Sequence, residues 1–298
     1  MSLEEYNVPF AGVTGNDLAR DRLRFLKREL RENLGVNKRY VQAGVREFLP
    51  GMKKIIDGIP RGSDLIVMPS TTGTNRIPFM LAQAMQKQRP DLQIVNTKDA
   101  LIKVTHDTES KIKDRFIDRL SDHRSFAFSD KLLGLKDQLN RSAFIVDDSI
   151  STGDSAITLH RQLAREGIYA RGIVAAVAGT KYHTRLSDIQ RLYERIKDHR
   201  PTGYSEQALK QDLYNSFVGY PNAKIKRVEL ALVRNNKGQL YNRPDLVVHF
   251  VRSTSAYLNR ERLGPAHLLE AKQRIGITDQ LTPPPQGQVR RLGKGPRP

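Results

Sequence analysis

Residues 144–157 carry the residue types most suited to chemistry in this chain. An apolar segment ends in two adjacent carboxylates, Asp147 and Asp148, and a run of hydroxyl residues and glycine then leads into an apolar-periodic helix. That run is Ser151, Thr152, Gly153, Asp154 and Ser155. Small residues of this kind let backbone N–H groups converge at a helix N-terminus, an arrangement that binds phosphate.

The two carboxylates and the turn are suited to binding different parts of a ligand. Asp147 and Asp148 would repel an adjacent phosphate, so we assign them to sugar hydroxyls or a metal, and the turn to phosphate. A ligand that has a phosphate a few ångströms from a diol is a ribose 5-phosphate. The alternative is a surface turn with two solvated aspartates, which leaves the ordered run of hydroxyl residues and glycine unexplained.

The segment Ile145 to Ser155 resembles the signature of the type I phosphoribosyltransferase family, namely a hydrophobic strand, two acidic residues and a Thr/Ser-Thr-Gly-x-Thr/Ser loop. The resemblance implies that the catalytic pair Asp147 and Asp148 contacts the ribose hydroxyls of phosphoribosyl pyrophosphate (PRPP), and that 151–155 hold its 5-phosphate. It also implies displacement of pyrophosphate by a nitrogen nucleophile. Mg²⁺ would then be held mostly by pyrophosphate oxygens and water, and no residue is assigned as a metal ligand. At Asp154 the chain departs from the family, which often has glycine or alanine there.

Two further segments match what the family resemblance implies about pyrophosphate binding. A polar loop after the first core strand stands where the family has its pyrophosphate loop, with candidate residues Ser70, Thr71, Thr72, Gly73 and Arg76. The segment 98–130 stands where the family has a mobile loop, with candidate cations Lys103, Lys111 and Lys113. Residues 104–128 also resemble, loosely, the competence-associated (ComF-like) branch. The alternative for this segment is a solvated, charged helix over 107–120.

Alternating strands and helices must position these loops. Short apolar runs predict strands, and 3.6-residue periodicity predicts helices between them. The predicted strands are 64–68, 92–95, 142–146 and 171–178, and the predicted helices are 15–34, 38–57, 77–86 and 153–166. This order indicates an α/β fold with a mostly parallel sheet flanked by helices, as in type I phosphoribosyltransferases. Ligands bind at the carboxyl ends of such strands, where both polar loops would lie.

The remaining chain is predicted to form an appended basic α+β region. Residues 184–217 indicate helices, and 266–274 indicate a last helix. Alternation in 226–233 and an apolar run in 245–251, with a turn signal between them, predict a β-hairpin. The resulting domain organisation is N-terminal helices over 1–60, a core over 61–180, the basic region over 181–281 and a disordered tail over 282–298.

The charge distribution leaves two function classes open. Of the net charge of +18 over 298 residues, about +12 falls in residues 181–298, which favours a nucleic acid or an acidic protein as partner there. One class is an enzyme that uses PRPP, or a related nucleotide-like molecule, to add ribose phosphate to a base. The other is a catalytically silent, regulatory protein of the same fold whose basic region binds the polyanion. Because the family often dimerises, the resemblance also implies a homodimer.

Several other classes are excluded by composition and motif. The chain has no cysteine, which excludes disulfides, thiolate catalysis and cysteine-based zinc sites. His-Glu-x-x-His and the P-loop pattern are both absent from the sequence. No apolar run approaches the roughly 20 residues of a membrane span, and the first thirty residues lack a secretory signal. We therefore expect no membrane partner and a cytoplasmic location.

Overall fold

The computed structural model describes most of the chain, in ten parts. They are residues 6–14, 17–32, 38–70, 75–95, 101–105, 125–134, 136, 139, 142–231 and 242–274. Side chains are described in all of them except at 101–105, 131 and 231. The predicted tail over 282–298 lies outside the described residues.

Seven strands are present in the described chain. They are β1 (Phe10–Val13), β2 (Asp64–Val67), β3 (Gln93–Val95), β4 (Leu101–Thr105), β5 (Ser125–Phe128), β6 (Ala143–Ile150) and β7 (Ala170–Ala178). Eleven α-helices accompany them among the described residues. They are α1 (Asp17–Glu32), α2 (Lys38–Arg46), α3 (Leu49–Asp57), α4 (Ile77–Gln88), α5 (Asp130–Leu133), α6 (Asp154–Arg165), α7 (Leu186–Ile196), α8 (Glu206–Phe217), α9 (Asn222–Ala231), α10 (Pro244–Arg260) and α11 (Pro265–Arg274).

Five strands form one all-parallel sheet in the order β1-β7-β6-β2-β3. The predicted α/β fold with a parallel sheet flanked by helices is therefore confirmed. Strand β1 was not predicted, and it covers the edge of the sheet by pairing with β7. From β2 the chain continues to β3 on one side, whereas from β6 it continues to β7 on the other side. The loops after β2 and β6 therefore diverge, which creates a topological switch point between them.

Helices cover both faces of the sheet. On one face, helices α1 to α4 bury an apolar cluster that includes Leu26, Met52 and Leu81. On the other face, α6 packs its apolar residues against β6 and β7, and α11 covers α6 from outside. A third cluster joins α7, α8, α9 and α10. None of the described helices is both long enough and apolar enough to span a membrane.

The predicted β-hairpin in the C-terminal region is wrong, because both of its proposed strands lie in helices. Residues 226–231 belong to α9, and 245–251 belong to α10. In α10 the buried positions continue beyond Val251 to Leu258 with helical spacing, so the segment is far longer than a buried strand. All regular elements described in 181–274 are helices, so the described part of this region is α rather than α+β.

Two strands that the sequence did not predict, β4 and β5, lie within the segment 98–130, where a mobile loop was expected. Strands β4 and β5 form an antiparallel pair, with Lys103 opposite Ala127. The backbone N–H of Phe126 donates to Oε1 of Gln162 at 3.0 Å, which fixes β5 against α6. Lys111, Lys113 and the alternative helix over 107–120 lie outside the described residues, so the proposed closure remains a prediction.

Arg161 on α6 joins the sheet domain to the C-terminal helices. Its side chain is fully buried, and its guanidinium donates to the carbonyl oxygens of Leu263 at 2.9 Å and Val218 at 3.1 Å. It also lies over the Tyr220 ring, 4.8 Å from the centroid. Burial lowers the pKa of this guanidinium, while Tyr220 and Asp154 act in the opposite direction. The C-terminal helices are therefore packed directly behind the helix that begins at the candidate phosphate turn.

We expect His160, also on α6, to make the protein less stable in acid. Burial lowers the pKa of His160 from 6.5 to about 3, and its Nε2 is bonded to the Ala170 carbonyl at 2.7 Å. Between these two pH values the unfolded chain binds a proton that the folded protein does not. The free energy of unfolding should then fall with decreasing pH, with a limiting slope of about 1.4 kcal/mol per pH unit.

The His160 slope is measured by urea denaturation between pH 6.5 and 5, before most carboxylates titrate. His160→Gln should reduce this slope, and His183, whose pKa is also lowered by burial, should retain the rest. Substitution of the exposed His249 by glutamine should leave the slope in place. An unchanged slope in His160→Gln would contradict the assignment.

Candidate functional site

A pocket of about 240 Å³ lies at the switch point between β2 and β6. The loop after β2, the end of β6, the turn that begins α6 and one residue each of α1 and α4 form its wall. The lining residues are Lys27, Met68, Pro69, Ser70, Asn75, Pro78, Asp147, Asp148, Ser149, Ser151, Thr152, Gly153, Asp154, Ser155 and Ala156. All seven residues predicted for the acidic pair and the phosphate turn thus line one pocket.

The acidic pair lies inside strand β6 rather than after it. Asp147 stands opposite Ala175 of β7, and both carboxylate side chains are buried. Because successive strand residues face opposite sides of a sheet, the two carboxylates leave the strand in different directions. Oδ1 of Asp147 accepts a hydrogen bond from the backbone N–H of Asp148 at 2.7 Å. The pair is therefore held at fixed positions on the pocket floor.

Protein groups occupy both oxygens of the Asp148 carboxylate. Nζ of Lys27 lies 2.7 Å from Oδ1, and the Ser149 hydroxyl donates to the same oxygen at 2.9 Å. The amide Nδ2 of Asn75 donates to Oδ2. Lys27 belongs to α1, and Asn75 belongs to the loop that precedes α4. The layer of helices α1 to α4 therefore neutralises and orients Asp148.

Gly153 gives the candidate phosphate turn its shape. Its φ of +81° lies in the left-handed region, which favours glycine. A Cβ at this position would lie 2.8 Å from Cδ of Pro221 and 3.0 Å from Cδ1 of Ile157, so there is no space for a side chain. Helix α6 begins at the next residue, and no side chain caps it at Gly153. The first N–H groups of such a helix end lack intrahelical partners and suit an anion.

Asp154, the departure from the family pattern, has a buried counter-ion. Nζ of Lys224 lies 2.7 Å from Oδ1 of Asp154, and the lysine side chain is only 1% exposed. The same ammonium lies 3.5 Å from the centroid of the Tyr220 ring. Lys224 belongs to α9 in the C-terminal region. The carboxylate next to the phosphate turn is therefore compensated from a distant part of the chain.

The predicted pyrophosphate loop is only partly within the described chain. Ser70 lines the pocket, and its hydroxyl accepts a hydrogen bond from the backbone N–H of Asn75 at 3.2 Å. Arg76 is exposed and does not line the pocket. Thr71, Thr72 and Gly73 lie outside the described residues. The structure thus brings Ser70 to the site and does not bring Arg76 there.

Sequence reasoning missed four polar residues of the site: Lys27, Asn75, Ser149 and Lys224. Lys27 had a detectable signal, because it occupies a position of the buried helical stripe formed with Leu23, Leu26 and Leu30. Lys224 lies just before the segment 226–233 that was predicted as a strand, so its place in the buried part of helix α9 was not expected. Asn75 follows the polar loop and gave no separate signal.

The comparisons with known proteins do not assign this site. Comparison with protein-family models, curated proteins and solved structures gives no match. In the described residues there is also no group of three or more His, Asp or Glu side chains that could hold a metal ion.

Proposed function

We propose that the pocket binds PRPP or a closely related ribose 5-phosphate and that the protein is a phosphoribosyltransferase. One observation carries this proposal. The buried acidic pair of β6 and an uncapped helix N-terminus, preceded by a left-handed glycine, line the same pocket at the switch point of a parallel sheet. This is where α/β proteins bind ligands, and the two groups suit a diol and a phosphate.

Each group of residues has a distinct part in ligand binding. The backbone N–H groups of the turn 151–155 hold the 5-phosphate, and the hydroxyls of Ser151 and Ser155 supply further donors. The carboxylates of Asp147 and Asp148 accept hydrogen bonds from the ribose hydroxyls. Lys224 neutralises Asp154, which removes the repulsion that this carboxylate would otherwise exert on the phosphate.

The proposed reaction needs no covalent nucleophile on the protein. A nitrogen nucleophile forms a bond to the anomeric carbon, and the carbon–oxygen bond to pyrophosphate breaks. The pocket contributes by positioning the sugar and by placing Asp147 and Asp148 near the positive charge that develops on it. Mg²⁺ would take most of its ligands from the pyrophosphate oxygens and water, and it would stabilise the leaving group.

We expect the double variant Asp147→Asn with Asp148→Asn to bind PRPP at least about tenfold more weakly than the parent, because it loses charge-assisted hydrogen bonds worth about 1.5 to 3 kcal/mol each. Calorimetric titration with PRPP and Mg²⁺ measures the affinity, and thermal melting verifies folding. The exposed Asp17→Asn on α1 is the matched control and should bind normally. Equal affinity in the folded double variant and the parent would refute the assignment of the pair.

Turnover is tested separately from binding. The parent, with PRPP and Mg²⁺, is screened for pyrophosphate release across nitrogenous bases. Base-dependent release that the double variant lacks would support the transferase. Tight PRPP binding with no release for any base would contradict the transferase and leave a ligand-binding regulatory protein.

A further inference from the structure

Lys27 of α1 enters the pocket from the layer opposite the phosphate turn. The side chain is 31% exposed, and its Nζ lies 2.7 Å from Oδ1 of Asp148 and 3.3 Å from Oγ of Ser149. Helix α1 packs with α2 on one face of the sheet, whereas α6 lies on the other face. A ligand whose 5-phosphate lies at the start of α6 would therefore extend its other end toward Lys27 and Asn75.

The charges on the pocket wall make Lys27 unusual. Among the lining residues that the structure describes, it is the only cation, and three carboxylates stand against it: Asp147, Asp148 and Asp154. Asp154 is already compensated from outside the pocket wall by the buried Lys224. In the described part of the pocket wall, Lys27 is thus the one positively charged side chain available to bind the diphosphate group of a ligand.

The contact with Lys27 also determines what Asp148 is able to bind. Lys27 and Ser149 both donate to Oδ1, and Asn75 donates to Oδ2. A ribose hydroxyl therefore takes the place of the ammonium at Oδ1 only when Lys27 moves away. The lysine stem has four rotatable carbon–carbon bonds and is partly solvated, so such a movement needs no backbone change. An anion within reach of the ammonium would compensate the lost ion pair.

We propose, on the basis of the proposed function above, that Lys27 exchanges partners on ligand binding. It leaves Asp148 and binds the diphosphate group of the ligand, and Oδ1 of Asp148 then accepts a ribose hydroxyl. Lys27 thereby determines the preference for a ribose phosphate that carries a diphosphate over one that lacks it. This exchange gives the α1 layer a direct part in ligand specificity.

The test compares two ligands in two variants of the full chain. Lys27→Met removes the ammonium, and Lys27→Gln keeps a hydrogen-bond donor for Asp148 without the charge. PRPP and ribose 5-phosphate are titrated with Mg²⁺ by calorimetry, and melting verifies folding. Because the lost contact is charge-assisted, both variants should lower PRPP affinity by about tenfold or more and change ribose 5-phosphate affinity by less than about threefold.

The controls separate this proposal from the function on which it rests. Lys53→Met on α3, an exposed lysine paired with Asp57, should change neither affinity. Equal losses for both ligands would overturn the proposal, because Lys27 would then act only by holding Asp148. Unchanged PRPP affinity would overturn it as well. If the parent binds neither ligand, the proposed function itself fails.

Discussion

Gly153→Ala should abolish detectable PRPP binding and lower the free energy of unfolding by about 2 kcal/mol or more. The left-handed φ of +81° costs a residue with a Cβ about 1 to 2 kcal/mol. The new Cβ would also lie 2.8 Å from Cδ of Pro221, so either the turn or the proline must move. Displacement of the turn would carry the N-terminus of α6 away from the phosphate. Calorimetry measures the affinity, and urea denaturation measures the stability.

Gly203 supplies a matched control for this substitution. It has the same φ of +81°, and an added Cβ would have no neighbour within 4 Å. Gly203→Ala should therefore show only the conformational cost and bind PRPP like the parent. If Gly153→Ala also binds PRPP like the parent, the turn 151–155 is not the phosphate site.

Lys224→Met should destabilise the protein by about 3 to 5 kcal/mol, the usual cost when one partner of a buried ion pair is removed. The lysine side chain is 1% exposed, and its ammonium is held between Asp154 and the Tyr220 ring. Its loss leaves an uncompensated carboxylate at the start of α6, next to the proposed phosphate position. PRPP affinity should fall with the stability. Urea denaturation and calorimetry measure the two effects.

A double-mutant cycle shows whether the ion pair is the cause. Adding Asp154→Asn to Lys224→Met removes the unpaired charge, so the double variant should be more stable than Lys224→Met alone and bind PRPP more tightly. Asp154→Asn alone completes the cycle. If the two substitutions simply add in both stability and affinity, Lys224 does not act through Asp154.

The sheet was predictable from the sequence because its strands are short apolar runs with turn signals after them. The predicted strands at 64–68 and 171–178 correspond closely to β2 and β7. Strand β1 was missed because a run of only four residues, Phe10–Val13, is too short for its apolar pattern to predict a strand. The failed hairpin had a physical cause. Valine-rich residues near 245–251 resemble a strand locally, and only the continuation of the buried stripe to Leu258 identifies α10.

The candidate site was predictable only where it is local in sequence. Residues 147–155 are one continuous segment, so strand, acidic pair and turn were evident together. Lys27, which contacts Asp148, lies 121 residues before it in the sequence. Lys224, which contacts Asp154, belongs to the distant helix α9. Such contacts depend on how the layers pack, which local periodicity does not determine. For the same reason the compensation of Asp154 was not foreseeable.

The central claim is tested most directly by a calorimetric titration of the full chain with PRPP and Mg²⁺, repeated in the presence of excess ribose 5-phosphate or excess ribose. Our account predicts saturable binding at one site, competition by ribose 5-phosphate through its phosphate and diol, and no competition by ribose. Absence of PRPP binding by the folded protein, or equal competition by ribose, would contradict the account.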